Sequence, residues 1–164
     1  MENKYFPIFI DISDKKVVVV GGGNIATRRV KILLQFTKLI MVVAPVITQE
    51  LSDLAGEGKI TWLCGEYRLE LIEKADIVIA ATNRPGVNHQ VKKDCKYMEK
   101  ITEHPILVSV SDDKEQCDFY FPSIVQNDDV VIGINSGGSC PGKTKDIRKK
   151  IEALFECESI YDKQ

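Results

Sequence analysis

Four consecutive valines, Val17–Val20, run directly into three glycines near the start of the chain. An uninterrupted run of β-branched residues is typical of a strand buried on both faces, as in a parallel sheet. Gly21 permits a tight turn after that strand, and Gly23 lets the backbone approach a pyrophosphate with no Cβ in the way. The pattern predicts a strand, a glycine turn and a helix whose N-terminal N–H groups face an anion.

The residues after the glycines favour a helix that packs against this strand. Ala26 occupies the third position of the G-x-G-x-x-G/A pattern and allows close helix–strand packing. Val30, Leu33 and Leu34 continue one apolar face at helical spacing. This context favours a dinucleotide site over a close-packed turn that binds no ligand. The candidate cofactor contacts at the turn are Gly21, Gly22, Gly23, Asn24 and Ile25.

The predicted second strand, residues 39–43, lacks the acidic residue that usually ends it. An Asp or Glu at this point accepts hydrogen bonds from the adenosine ribose, and an arginine nearby accommodates a 2′-phosphate. The chain has neither there, so we expect backbone and apolar contacts from Ala44, Pro45 and Val46 to hold the cofactor. These residues do not distinguish NAD from NADP.

Composition excludes several classes of protein. A net charge of −2 over 164 residues argues against a general nucleic-acid binder, and no apolar stretch reaches the length of a membrane span. The first residues lack an apolar signal segment, so we expect a cytoplasmic protein. Five widely spaced cysteines without a CxxC pair are typical of reduced thiols, and no metal site is expected.

Strand-like and helix-like segments alternate over the first two-thirds of the chain. This alternation predicts an α/β fold with a Rossmann-type parallel sheet and ligands outside the carboxyl ends of its strands. A polar loop after the fourth strand adds Thr82 and Asn83 as candidate cofactor contacts. After the second strand, the predicted segments are a helix over 48–55, a strand over 60–63, a helix over 69–74, a strand over 76–81, a helix over 87–100 and a strand over 106–110.

The alternation of strand-like and helix-like segments ends after Asp113. Strands are predicted over 119–125 and 130–134 around a turn at 126–129, followed by a helix over 145–157. We therefore expect a dinucleotide-binding Rossmann domain over 1–113 and a hairpin-plus-helix dimerisation segment over 114–164. The second segment is too small to fold alone, so it should pack on the sheet or on a second copy of the chain in a homodimer.

Asp112 is the candidate catalytic residue. Asp112 and Asp113 follow the fifth strand, at the edge of the sheet where a reacting ring would lie. Partial desolvation by Phe119, Tyr120 and Phe121 would suit a carboxylate that accepts a proton. The alternative is a solvated turn that leads into the hairpin. The two histidines, His89 and His104, are poorer candidates, because their surroundings are typical of a helix surface and a turn.

Several motifs in the same order resemble the precorrin-2 dehydrogenase family, which includes the amino-terminal module of siroheme synthase and related ferrochelatases. The similarity covers nearly the whole chain, which makes it more specific than the glycine pattern. The segments that carry it are Phe6-Pro7-Ile8-Phe9, Val17 to Arg29, Val42-Val43-Ala44-Pro45, Ala80-Ala81-Thr82-Asn83, Val108 to Asp113, Cys117 to Pro122 and Ser136 to Pro141.

The resemblance implies NAD-dependent oxidation of precorrin-2 to sirohydrochlorin, with Asp112 as the family's catalytic aspartate. Two alternatives stay open: a bifunctional dehydrogenase and sirohydrochlorin ferrochelatase, and a non-catalytic nucleotide-sensing Rossmann module. Ser109 replaces the usual asparagine, and Lys114 stands where proline is frequent. The family's carboxy-terminal helical region is expected to be shortened here, which weakens the case for a chelatase site.

A carboxylate-rich tetrapyrrole needs cationic partners, and residues 141–150 contain five lysines or arginines and one aspartate. Lys143 and Arg148 in this segment are candidate substrate contacts, with a solvated helix face as the alternative. Ser136, on the preceding loop of small residues, is a third candidate, and its alternative role is to satisfy backbone groups of that loop.

Overall fold

The computed structural model describes residues 6–137 and 140–161. The chain divides into two compact units. The larger spans Phe9–Phe119, and the smaller contains the residues up to Ile8 and from Tyr120 onward.

The larger unit is a five-stranded parallel sheet with the strand order β3-β2-β1-β4-β5. The α/β Rossmann-type prediction is confirmed. The order reverses at β1, so a topological switch point lies between the carboxyl ends of β1 and β4. Its elements are β1 Val17–Val20, α1 Asn24–Leu33, β2 Ile40–Ala44, α2 Gln49–Gly56, β3 Thr61–Cys64, a 3₁₀ turn Leu69–Ile72, β4 Ile77–Ala80, α3 Pro85–Thr102, β5 Leu107–Val110 and a 3₁₀ turn Lys114–Gln116.

β1 forms the centre of the core, and its four valines are 0–3% exposed. Successive side chains alternate between the two faces of the sheet. On one face, Val18 clusters with Val91 and Cys95 of α3. In α1, Ala26 and Val30 are four residues apart and completely buried, which matches the apolar stripe of an amphipathic helix.

The smaller unit contains an antiparallel hairpin and one long helix, as predicted. The hairpin pairs β6 Ser123–Asn127 with β7 Val130–Ile134, and α4 Pro141–Tyr161 packs against β6. α4 begins at Pro141, four residues earlier than predicted. Proline is well tolerated at the start of a helix, because an N–H in the first turn would have no intrahelical partner. Among the described residues, no helix combines the length and apolar character that a membrane crossing requires.

Two further predicted elements differ from the structure. The helix expected over residues 69–74 is a short 3₁₀ turn, Leu69–Ile72. The strand expected over 119–125 begins only at Ser123, immediately after Pro122, which has no N–H to donate to a ladder. At its other end this strand extends to Asn127, so the hairpin turn narrows to two residues and Asp128 takes a left-handed φ of 48°.

Candidate functional site

The glycine turn lies at the switch point of the sheet. Gly21 has a φ of +123°, and a Cβ there would lie 2.4 Å from the carbonyl oxygen of Ala81. The N–H of Ala81 in turn donates to the carbonyl of Val20 at 2.8 Å. Both the backbone conformation at position 21 and the close contact with the end of β4 therefore require glycine, as predicted.

Gly22 is required by packing inside the protein. A Cβ at Gly22 would lie 2.2 Å from the carbonyl oxygen of Val46. The N–H of Thr48 donates to the carbonyl of Gly22 at 3.0 Å, and the hydroxyls of Thr27 and Thr48 lie 2.8 Å apart. These contacts join the glycine turn to the segment after β2.

Gly23 faces open space. No atom lies within 4 Å of a Cβ built on it, and it caps the N-terminus of α1 without a side chain. The first turn of α1, which includes Asn24 and Ile25, contains no acidic residue. The first N–H groups of a helix have no intrahelical partner, and they favour an anion. This turn therefore fits the diphosphate of a dinucleotide.

Of the three cofactor contacts predicted at the end of β2, only two are exposed. Ala44 is buried, and its carbonyl accepts hydrogen bonds from Trp62 Nε1 at 3.0 Å and from the Gly65 N–H at 3.3 Å. Pro45 and Val46 are exposed, Val46 by 77%. This wall of the site is apolar and uncharged, as the sequence indicates.

Thr82 and Asn83 follow β4 at the same edge of the sheet. Asn83 is exposed, whereas Thr82 is bound to Asn88, a completely buried residue in the first turns of α3. Asn88 Oδ1 accepts the Thr82 N–H at 3.1 Å and the Thr82 hydroxyl at 2.7 Å. This loop is therefore held by the buried amide of α3.

Asp112 lies just beyond the carboxyl end of β5. Its Oδ1 accepts a hydrogen bond from Asn88 Nδ2 at 2.8 Å. The expectation that aromatic neighbours would withdraw this carboxylate from water is wrong, since Asp112 is exposed. A hydrogen bond from the core side, and not an apolar pocket, constrains its position.

The loop that carries Asp112 is anchored to β5 by Cys117 and Asp118. Cys117 Sγ lies 3.1 Å from the N and 3.2 Å from the carbonyl oxygen of Val110. Asp118 accepts the Val108 N–H at 3.0 Å and the ammonium of Lys92 at 2.7 Å. The far end of the loop is thus fixed to β5 and, through Lys92, to α3.

Ser109, which departs from the commoner family pattern, is buried on the α1 side of β5. Its hydroxyl accepts a hydrogen bond from the guanidinium of Arg29 at 3.4 Å. Burial lowers the pKa of Arg29, and the nearby Cys117 opposes that change. The arginine of α1 therefore reaches beneath the Asp112 loop.

The two histidines lie at opposite edges of the sheet. His89 Nε2 is 3.2 Å from Asp113 Oδ2, so consecutive residues of α3 contact the two consecutive aspartates. His104 Nε2 is 3.4 Å from Asp76 Oδ1, before β4. His104 therefore lies away from the candidate site.

The three candidate substrate contacts belong to the smaller unit. Ser136 is half-buried, and its hydroxyl accepts the N–H of Cys140 at 3.4 Å. Lys143 is exposed near the start of α4. Arg148 forms an ion pair with Glu152 one helical turn later. Each of the other candidate residues lies in the larger unit.

A recess of about 480 Å³ opens at the amino ends of β1 and β2, opposite the glycine turn. Its lining includes Lys16, Lys38 and Leu71. The glycine turn lies instead at the carboxyl edge, outside which open parallel sheets usually bind their ligands.

Asn88 is the site residue that the sequence reasoning missed. It lies three residues before Val91 and seven before Cys95, on the buried stripe of α3. The available signal was a polar residue on the apolar stripe of a helix, about one turn from the start of that helix. Such a residue is informative because buried amides need hydrogen-bond partners.

A glycine turn at the switch point of a parallel sheet defines a dinucleotide-binding α/β domain. Residues 8–123 match a family described as "Putative NAD(P)-binding". The chain belongs to this family.

The curated relatives carry names from siroheme biosynthesis. The chain is 37% identical over 151 residues to a siroheme synthase of Actinobacillus succinogenes, and 39% identical over 151 residues to one of Neisseria meningitidis. It is 42% identical over 150 residues to a protein of Ruminiclostridium josui named "Probable multifunctional siroheme biosynthesis protein HemA". These matches cover 91–92% of this chain and 28–30% of the relatives, so the chain spans less than a third of their length.

Among solved structures, the chain is similar to one titled "SirC, precorrin-2 dehydrogenase". The TM-score is 0.75 at 25% identity, and the match covers 92% of this chain and 70% of the other. The resemblance that the motifs predicted is confirmed by these likenesses.

Proposed function

We propose that this chain is a dehydrogenase that oxidises precorrin-2 to sirohydrochlorin with NAD as the hydride acceptor. The observation that carries this proposal is that the open turn at Gly23 and the exposed carboxylate of Asp112 follow two strands of the same parallel sheet. Both therefore belong to its carboxyl edge. The likeness to a structure titled as a precorrin-2 dehydrogenase supports the choice of substrate.

The reaction removes two electrons and two hydrogens from the tetrapyrrole, as one hydride and one proton. A bound nicotinamide supplies the acceptor for the hydride. In this proposal Asp112 accepts the proton, because a carboxylate near the reacting carbons acts as a general base when it is within hydrogen-bond reach. The hydrogen bond from Asn88 orients one of its oxygens.

NAD is preferred over NADP on the strength of the family resemblance. The contacts proposed for the adenosine end are Pro45 and Val46, whose side chains are uncharged. These side chains do not distinguish the two cofactors, so the family resemblance alone leads us to expect higher activity with NAD than with NADP.

We assign the substrate's carboxylates to Ser136, Lys143 and Arg148. Five cations lie in residues 141–150, against one aspartate, and such a local excess attracts a polyanion. Lys143 is exposed near the N-terminus of α4, where the helix dipole adds to its positive charge. Replacing Lys143 with Gln should raise the KM for precorrin-2 while leaving the affinity for NAD unchanged.

We propose a homodimer that joins through the smaller unit. This unit contains a two-stranded hairpin, and such hairpins are marginally stable on their own. It also exposes apolar side chains, including Ile8 by 71%, Val130 by 51% and Leu154 by 64%. Light scattering after size-exclusion chromatography should give twice the 18.4 kDa mass of one chain. A mass of one chain at micromolar concentration would contradict the dimer.

We place the protein in the cytoplasm. Cys64 and Cys140 are exposed thiols, and reducing compartments keep such thiols unpaired. Fractionation of the source cells, followed by immunodetection, tests this assignment.

The decisive experiment is an anaerobic assay of the purified chain with precorrin-2 and either NAD or NADP. Formation of reduced nicotinamide and of sirohydrochlorin in equal amounts is the expected result. Absence of turnover with both cofactors, in protein that binds NAD, would favour a nucleotide-sensing module. A second assay with sirohydrochlorin and ferrous iron, without NAD, tests the bifunctional alternative, which requires metal insertion above the spontaneous rate.

A further inference from the structure

The side chain of Asn88 connects two parts of the proposed site. It is 0% exposed, and it contacts the loop after β4 and the loop after β5. Its Oδ1 accepts two hydrogen bonds from Thr82, and its Nδ2 donates to the Thr82 carbonyl at 3.1 Å and to Asp112 Oδ1 at 2.8 Å. Every hydrogen-bonding position of the amide is thus occupied.

These contacts fix which way the amide points. The backbone N–H of Thr82 can only donate, so the atom of Asn88 that faces it must be the oxygen. The nitrogen therefore faces Asp112, and it can only donate. As a result, Asp112 Oδ1 is always an acceptor in this arrangement.

Oδ2 of Asp112 does not take part in the hydrogen bond with Asn88. Among the residues that the structure describes, Asn88 donates to Oδ1 and no hydrogen bond reaches Oδ2. Asp112 as a residue is exposed, and it follows β5 at the carboxyl edge of the sheet. One oxygen is tethered, and the other is available to a substrate proton.

We propose that Asn88 is a positioning residue that orients Oδ2 of Asp112 toward the substrate. The same side chain couples the orientation of this carboxylate to the conformation of the Thr82 loop. This inference rests on the proposed dehydrogenase and adds a residue to its machinery. Asn88 acts through Asp112 and touches no reacting atom. Because the Thr82 loop and Asp112 share one amide, a cofactor that contacts the loop also stabilises the orientation of the carboxylate.

The test is Asn88→Asp, which keeps the shape of the side chain and replaces the donating amide nitrogen with a carboxyl oxygen. Two carboxyl oxygens then face each other at the former hydrogen-bond distance, and they are compatible only while they share a proton. The neighbouring titratable and charged groups include His89 and Asp113, which are 3.2 Å apart, Arg84 and Glu66, which are 3.2 Å apart, and Arg29 beneath the Asp112 loop. They are the same in the wild type and the variant.

The matched control is Gln90→Glu on the same helix. Gln90 Nε2 also donates to a carboxylate, Asp94 Oδ1, at 2.8 Å, but Gln90 is exposed. Water screens the resulting pair of like charges, so the control carries the same chemical change without the buried coupling.

We expect Asn88→Asp to lower kcat about 10- to 100-fold at neutral pH, since small misplacements of a reacting group have effects of this size. The loss should deepen as pH rises and the shared proton is released. The KM for precorrin-2 should change less than kcat, and Gln90→Glu should retain the wild-type pH profile. A kcat and pH profile for Asn88→Asp that match those of Gln90→Glu would overturn the proposal.

The double variant Asn88→Asp, Asp112→Asn keeps the test decisive if the single variant does not fold. It reverses the direction of the hydrogen bond between residues 88 and 112, while the Thr82 carbonyl lacks its donor in the single and the double variant alike. A double variant that is more stable than Asn88→Asp therefore supports a direct coupling of the two side chains, and equal stability of the two variants would overturn it. If the wild type itself does not oxidise precorrin-2, the proposed function fails, whereas the stability cycle over residues 88 and 112 still measures the contact.

Discussion

The ammonium of Lys92 lies 2.7 Å from Oδ1 of Asp118, and both side chains are largely buried, at 13% and 26% exposure. Oδ2 of the same carboxylate accepts the Val108 N–H at 3.0 Å. Asp118 therefore joins α3 to β5 at the point where the loop carrying Asp112 returns to the sheet. The stability of this junction bears directly on the position of Asp112.

Replacing Lys92 with Met should lower the free energy of unfolding by about 1–3 kcal/mol, because it leaves a partly buried carboxylate without its main partner. Urea denaturation measures the loss. The control is Lys96→Met, whose ammonium is 3.8 Å from the same carboxylate and 47% exposed. Its cost should stay below about 1 kcal/mol. Equal losses in the two variants would show that burial of the pair does not matter.

Asp112→Asn should reduce kcat for precorrin-2 oxidation by about 10²- to 10⁴-fold, the range for loss of a general base. The side-chain oxygen of the new asparagine still accepts the hydrogen bond from Asn88, so the loop should keep its conformation. Calorimetry should therefore give an NAD affinity within about twofold of the wild type.

The neighbouring carboxylate provides the comparison for Asp112→Asn. Asp113 accepts the Glu115 N–H at 3.1 Å, and an asparagine there retains this acceptor. Asp113→Asn should keep most of the turnover. An unchanged kcat in Asp112→Asn would remove Asp112 from the mechanism.

Gly23→Ala should separate ligand binding from folding. No atom lies within 4 Å of the added methyl group, so the melting temperature should stay close to that of the wild type. The methyl group would occupy the space assigned to the diphosphate, and NAD affinity should fall about tenfold or more. A cofactor affinity equal to that of the wild type would show that the diphosphate lies elsewhere.

Gly22→Ala should give the opposite result. Its methyl group would lie 2.2 Å from the Val46 carbonyl oxygen, a contact that forces the backbone to move. Overpacking of this kind costs about 1–3 kcal/mol of stability. Thermal unfolding of the apo protein measures the cost without any cofactor.

Cysteine labelling should distinguish the buried thiol from the exposed ones. Burial raises the pKa of Cys95 to about 12, so very little of the reactive thiolate is present at pH 8. Cys64 and Cys140 are exposed. With iodoacetamide and mass spectrometry, both should be modified in the folded protein, and Cys95 only after unfolding. Equal rates for Cys95 and Cys64 in native protein would contradict the packing of α3.

Glu99 should contribute to stability in a pH-dependent manner. Burial opposes ionisation, but hydrogen bonds from Lys96 and the Ile106 N–H outweigh it and lower the pKa of Glu99 below 4.5. A carboxyl with a depressed pKa in the folded state stabilises the fold above its unfolded pKa, and this contribution is lost as pH falls through the folded value. Glu99→Gln should cost about 1 kcal/mol at pH 7 and progressively less in acid. Urea titrations across this range test the trend, and a cost independent of pH would contradict it.

Much of the larger unit could be predicted because its signals are local. Val17–Val20 specify a buried strand through an unbroken apolar run, and Gly21 marks the turn through a backbone conformation that few residues adopt. Asp112 could be placed at an edge of the sheet because it directly follows a strand. The element types followed from periodicity, whereas boundaries such as the start of β6 depended on Pro122 and its neighbours.

The contacts of Gly22, Asn88 and Asp118 could not be predicted in this way. The atoms near Gly22 come from Val46, 24 residues later in the chain, and Asn88 is also 24 residues from Asp112. Which strand ends become neighbours depends on the order β3-β2-β1-β4-β5. That order results from long-range pairing and packing.

The amino-acid sequence by itself determined the α/β class, the glycine turn and the candidate aspartate, because each depends on residues close together in the chain. Only the tertiary structure decided that Asn88 donates to Asp112 and that Asp118 closes the loop beside it. A hydrogen bond requires atoms within about 3 Å, and only the folded sheet brings α3 that close to the end of β5.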